Sequence, residues 1–137
     1  MSQIGFIAGS GFSFPDGAAV RARTLSTPYG SVEIAEWGES GHRVTFLSRH
    51  GPGHARLSHQ VAHRANLTAL HNQGVSAIVA STAVGVLEPA VPLGIALLFD
   101  DLYFPSNRLP DGTLATFFGD EDNALRGHWI PAAPFSP

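Results

Sequence analysis

The sequence has no cysteine in its 137 residues, so no disulfide can brace it, and a reducing, cytoplasmic setting fits that composition. It has no apolar run of about 18 residues or more, the length a membrane-spanning helix needs. Nor does a basic segment followed by an apolar stretch open the chain, so no export signal is read there. Charged residues make up only 14% and the formal net charge is -3. That balance excludes the charge excess of disordered chains and the basic surface that grips nucleic acid. Hydrophobic residues, at 44%, are sufficient for a core. A chain of this length forms one domain at most, burying roughly 70% of the surface its unfolded state exposes.

The opening "QIGFIAGSGFSFPDG" sets a buried-strand pattern (Ile4, Phe6, Ile7) directly before Gly9-Ser10-Gly11, a turn whose backbone amides can face an anion. Val32, Ile34 and Ala35 lie between two turn signals, Pro28-Tyr29-Gly30 and Glu39-Ser40-Gly41, and Val44 to Leu47 follow. This spacing predicts a hairpin or adjacent antiparallel strands. "SHQVAHRANLTALHNQG" reads as a helix with Ser58 as its N-cap, Val61, Ala65, Ala69 and Leu70 at helical spacing, and Gly74 as its stop. "VSAIVASTAVG" reads as a continuous apolar strand, and "GIALLFDDLYF" as another. Strand, helix, strand in that order predicts an α/β fold with a mixed, largely parallel sheet covered by helices. From Pro105 the chain is rich in Pro, Gly and Asp with little periodicity. It reads as a long loop, of the kind that is functional or held by a partner.

Three turns follow predicted strands: Gly9-Ser10-Gly11, Arg49-His50-Gly51 and Thr82-Ala83-Val84-Gly85. In parallel sheets, ligands bind at the carboxyl ends of the strands. A guanidinium offers paired planar donors to an oxyanion, a hydroxyl offers another, and glycines let amides approach. Ser10, Arg49, His50 and Thr82 would form such a cradle if their strands are neighbours. The bland alternatives are plain turns and a surface arginine in an ion pair. A zinc site has less support. His50 and His54 are four residues apart, but Gly51, Pro52 and Gly53 between them oppose a helix. His59 and His63 share that spacing, yet no glutamate stands between them as in a zinc-protease helix, and no cysteine can assist. No metal site is therefore read; His59, His63 and His71 read as partly exposed helix residues. Ser10 is not in a nucleophile elbow, since Ala8 and Phe12 occupy the positions of its two glycines.

The ordered set "IGFIAGSGF", "TPYG", "FLSRHGPGH", "HRANLTAL", "GVSAIVASTAVGVL", "TFFGD" and "HWIPAAPFSP" resembles the methylthioadenosine phosphorylase and type II purine nucleoside phosphorylase family. The resemblance spans residues 1–137 as the N-terminal half of a nucleoside phosphorylase-like domain. It implies that Ser10, Arg49, His50 and Thr82 bind phosphate. It places His54 near the ribose and phosphate, and Ala83, Val84 and Gly85 along the nucleoside pocket. It matches His128 to a histidine that family trimers lend to the neighbouring subunit, near the 5' end of the nucleoside.

The reaction implied is phosphorolysis of a purine nucleoside, such as 5'-methylthioadenosine, to free base and ribose 1-phosphate. Inorganic phosphate is then a co-substrate and no cofactor is required. The family's purine contacts fall in its C-terminal half, and no acid here maps to them: Asp120, Glu121 and Asp122 read as a solvated loop. The resemblance thus implies a homo- or hetero-oligomer, with a C-terminal-half protein completing the site. Two other readings stand: a non-catalytic paralogue that keeps a phosphate- or nucleoside-binding or scaffold role, and a fragment of a longer protein. Nucleic acid and membrane are not expected partners.

Overall fold

The computed structural model describes residues 3–9, 12, 14, 16–39, 42–103, 105–106, 108–109, 111–117 and 135. Two units are distinguished, Met1–Val84 and Gly85–Pro137.

The first unit is built on a five-stranded sheet of β1 (Gln3–Ala8), β2 (Val20–Thr27), β3 (Gly30–Glu39), β4 (His42–Ser48) and β5 (Val75–Ala80), in the order β2-β3-β4-β1-β5. β2, β3 and β4 form an antiparallel meander, whereas β1 runs parallel to both β4 and β5. The sheet is mixed, and its parallel part carries the three turns of interest. The antiparallel pairing of the Val32 and Val44 segments is as the turn signals predicted. β2 is an additional strand that sequence reading did not anticipate. Its residues VRARTLST put Val20, Ala22 and Thr24 opposite Trp37, Ala35 and Glu33, an alternation that the intervening arginines hide.

α1 (His63–Asn72) lies on one face of the sheet. Its Ala65, Ala69 and Leu70 join Val32, Ile34 and Leu47 in the buried core, with Ile7, Leu25, Ala62 and Val75 packed around them. Small alanines let the helix come close, and a glycine in the sheet does the same. A methyl at Gly5 would sit 2.9 Å from Val75 Cγ1 and 3.3 Å from Leu70 Cδ1, so the space that Leu70 fills exists because Gly5 has no side chain. The buried Thr45 hydroxyl is satisfied by Gln3 Nε2, which donates to it at 2.6 Å.

The helix begins later than its sequence predicts. Ser58 opens a separate tight turn, Ser58–Gln60, in which the Leu57 amide donates to Gln60 Oε1 at 3.0 Å. The buried Val61 is then extended, so Ala62, not Ser58, is the N-cap of α1. His59 and His63 consequently do not share a helix. The predicted stop holds: Gly74 has φ 76 just beyond the last turn, a left-handed conformation that glycine adopts at little cost.

On the opposite face of the sheet the Phe46 ring meets Phe6, Phe12 and Phe14 at centroid distances of 6.1, 4.7 and 4.8 Å. These offset and edge contacts are the arrangements that aromatic quadrupoles favour.

In the second unit a short turn is closed by Leu109 N–H to Thr113 O at 2.8 Å, with Asp111 Oδ1 accepting from the Thr113 amide at 2.9 Å. "GIALLFDDLYF" is not a strand over its described residues, 94–103. The composition suits a strand, but a strand needs a neighbour for its backbone groups. Here no ladder forms, and Leu93, Leu98 and Tyr103 are almost fully exposed. No helix among the described residues is long and apolar enough to cross a membrane.

Candidate anion site at the parallel strand ends

β4, β1 and β5 run in the same direction side by side, so their carboxyl ends lie along one rim. The backbone ties these ends together beyond the strands. Arg49 N–H donates to Ala8 O at 2.9 Å, Gly9 N–H to Ser81 O at 3.1 Å, and Ser81 N–H to Ile7 O at 2.9 Å. Gly9, Arg49 and Ser81, at the start of the three predicted turns or just before it, are thus neighbours.

Arg49 is the centre of the arrangement. Its Nη2 donates to Thr82 Oγ1 at 3.1 Å, and its Nε faces His50 Nε2 at 3.4 Å. The guanidinium thus spans from the end of β4 past β1 to Thr82, two residues beyond β5. Gly9 eases this path, because a Cβ there would lie 3.0 Å from Arg49 Nη2 and press the guanidinium aside. His50 is fixed from its other side, where Nδ1 lies 3.1 Å from the Arg56 carbonyl oxygen.

The Gly51-Pro52-Gly53-His54 turn bends the chain back. Gly51, Gly53 and His54 all have positive φ, of 75, 59 and 59. Two of these are glycines, for which the left-handed region is accessible, and histidine is among the side chains that tolerate it. The turn brings the His54 ring to 6.0 Å from that of His50, tilted by 26°. The glycines that oppose a helical histidine pair are thus what builds the turn.

His63, at the start of α1, has a pKa held below its ordinary 6.5, first by partial burial and second by the positive charge of Arg49.

Of the residues singled out by sequence, Arg49, His50 and Thr82 come together, and His54 stacks beside them. Ala83 and Val84 follow Thr82 as exposed residues. Gly85 starts the second unit. Ser10 and His128 lie outside the described residues. Sequence reasoning missed the clearance at Gly9 and the Arg56 carbonyl, the first of which could have been sought in its place after a strand. It also missed an open groove of about 700 Å³ beside the turn, lined by Gly9, Phe12, Phe14, Phe46 and His54.

Fold and site together define an α/β protein whose polar groups converge at the carboxyl ends of parallel strands. No family model matches the chain. Among curated proteins it is 38% identical to 6-oxopurine nucleoside phosphorylase of Pyrococcus furiosus, over 74% of this chain and 38% of that protein. It is 42% identical to S-methyl-5'-thioadenosine phosphorylase of Mycolicibacterium smegmatis, over 73% of this chain and 39% of that one. Among solved structures, a point mutant of adenosine/methylthioadenosine phosphorylase from Schistosoma mansoni in apo form aligns with a TM-score of 0.73 at 30% identity, covering 98% of this chain and 48% of that chain. By sequence and fold alike, the chain is a relative of the methylthioadenosine and purine nucleoside phosphorylases. It spans less than half the length of each of these relatives.

Proposed function

We propose that the strand-end rim binds inorganic phosphate and that the chain serves phosphorolysis of a purine nucleoside, 5'-methylthioadenosine or a close analogue, with a further polypeptide supplying the rest of the site. The observation that carries this reading is the Arg49 guanidinium held across three parallel strand ends, bonded to Thr82 at 3.1 Å and flanked by His50. Arg49 and Thr82 are the ligands assigned to phosphate, with Ser10 and His50 beside them. His54, Ala83, Val84, Gly85 and, from a neighbouring subunit, His128 are assigned to the nucleoside.

In phosphorolysis a phosphate oxygen forms a bond to the anomeric carbon as the bond from that carbon to the purine nitrogen breaks. The base leaves with the electron pair and takes up a proton. Holding phosphate in line beneath the sugar supplies the orientation part of catalysis, and a fixed cation steadies the charge of the nucleophile. The purine needs a hydrogen-bonding or protonating group of its own. That group is assigned to the further polypeptide, in a homo- or hetero-oligomer.

The test is phosphate-dependent release of adenine or hypoxanthine, measured with the chain alone and with a polypeptide carrying the remaining half of the family fold. Release that requires both polypeptides, and that is lost in Arg49→Ala, supports the proposal. Phosphate binding by a folded complex with no release of base would assign the chain a binding or scaffold role instead.

A further inference from the structure

The contacts of His50 fix its protonation pattern. A guanidinium carries N–H donors and has no lone pair with which to accept. Since Arg49 Nε approaches His50 Nε2 at 3.4 Å, Nε2 must be the lone-pair nitrogen. On the other side of the ring, Nδ1 lies 3.1 Å from the Arg56 carbonyl oxygen, which can only accept, so Nδ1 must carry the hydrogen. Two separate contacts therefore select the same neutral tautomer. The Arg49 contact is long, and its value lies in direction more than in strength.

In that tautomer His50 offers no N–H on the edge that faces Arg49. We propose that His50 is a positioning residue: its Nε2 lone pair, kept available by the Arg56 carbonyl, orients the Arg49 guanidinium, which Thr82 holds at the other end. With Nε turned to His50 and one Nη2 hydrogen on Thr82, Arg49 presents Nη1 and the second Nη2 hydrogen as a preset fork for an oxyanion. Gly9 leaves the room that this orientation needs. The inference rests on the reading of Arg49 as the phosphate ligand, and it changes the part assigned to His50 from direct contact to alignment.

Two measurements test it. A long-range proton–nitrogen spectrum of the imidazoles, taken without anion above the ordinary imidazole pKa, reads the tautomer directly. A pyrrole-type Nδ1 and a pyridine-type Nε2 are expected for His50, and the reverse pattern overturns the proposal. The second measurement is titration with sulfate, chosen because its charge does not change through the neutral range. His50→Gln keeps an acceptor near the position of Nε2, while His50→Asn keeps only a donor for the Arg56 carbonyl. Sulfate affinity is expected to stay within about 3-fold of the parent in the Gln variant and to fall by about 10-fold in the Asn variant. Equal loss in both, or no loss in either, overturns the positioning role. Arg49→Ala separates the two readings: unchanged sulfate affinity there, or none in the parent, removes the phosphate assignment and leaves the tautomer measurement standing.

Discussion

A methyl group on Gly9 would lie 3.0 Å from Arg49 Nη2 and 3.3 Å from the Ser81 carbonyl oxygen, so the first strand's terminal glycine sets where the guanidinium can rest. Gly9→Ala is expected to displace Arg49 from Thr82 and to weaken anion binding by about 10-fold, or about 1.4 kcal/mol. Arginine is flexible, so the fold should survive the change. Sulfate titration and a thermal melt on the same sample check this; full anion affinity in a folded Gly9→Ala variant would refute the steric argument.

Leu70 is fully buried between α1 and the sheet, in the space left by Gly5. Leu70→Ala should destabilise the first unit by about 2–5 kcal/mol through lost transfer energy and the cavity left behind. Leu67, on the same helix but 38% exposed, provides the control. Its alanine variant should cost less, about 1 kcal/mol. Urea unfolding of both variants separates a packed helix from one that merely covers the sheet.

The site's strand ends were legible because each pairs a short apolar run with an abrupt change to small or polar residues: Ala8 to Gly9, Ser48 to Arg49 and Ala80 to Thr82. That they could converge was an expectation from strand-helix-strand order, but the position of β1 between β4 and β5 shows only in the sheet order. Two features were not legible because they depend on partners distant in sequence. The apolar run at 94–103 looks like a strand by composition, yet pairing requires an edge elsewhere in the fold. Conversely, β2 looks polar, yet β3 pairs with it along its length. The start of α1 was misplaced by a local competitor, the bond from the Leu57 amide to the Gln60 side chain, which closes a turn where Ser58 would otherwise cap a helix. The tautomer of His50 depends on the Arg56 carbonyl, and no residue type encodes a backbone carbonyl's direction.

Stability should respond to pH through His63. Its folded pKa is lowered by partial burial and by Arg49, so the unfolded chain binds the proton more readily. The sign follows from linkage: the contribution is complete above the unfolded value of 6.5 and is lost as the pH falls from there through the lowered folded value. His63→Gln should flatten this part of the stability profile relative to the parent. Parallel profiles for the two proteins, measured by urea unfolding across the acidic range, would show that His63 does not contribute.

The free edge of β5 bears on association. β5 pairs with β1 along one edge, and among the described residues no strand pairs with its other edge. Its sequence VSAIVA has no charge and no proline, and Ile78 and Val79 are 44% and 52% exposed. Sheets that must stay solitary protect such an edge with lysine, proline or a bulge, because unpaired N–H and C=O groups recruit other strands. Within β5 there is neither lysine nor proline, and the only irregularity is a register shift at Ser76, near its start. The chain is therefore expected to associate as its concentration rises, or to take up a partner strand. A Val79→Lys substitution adds a charge to this exposed strand and should shift the equilibrium toward monomer while leaving the α1-facing core intact. Sedimentation velocity over a range of concentrations decides the matter. A parent chain that stays monomeric throughout would refute the expectation, and a Val79→Lys variant that associates as strongly as the parent would place the association elsewhere than β5.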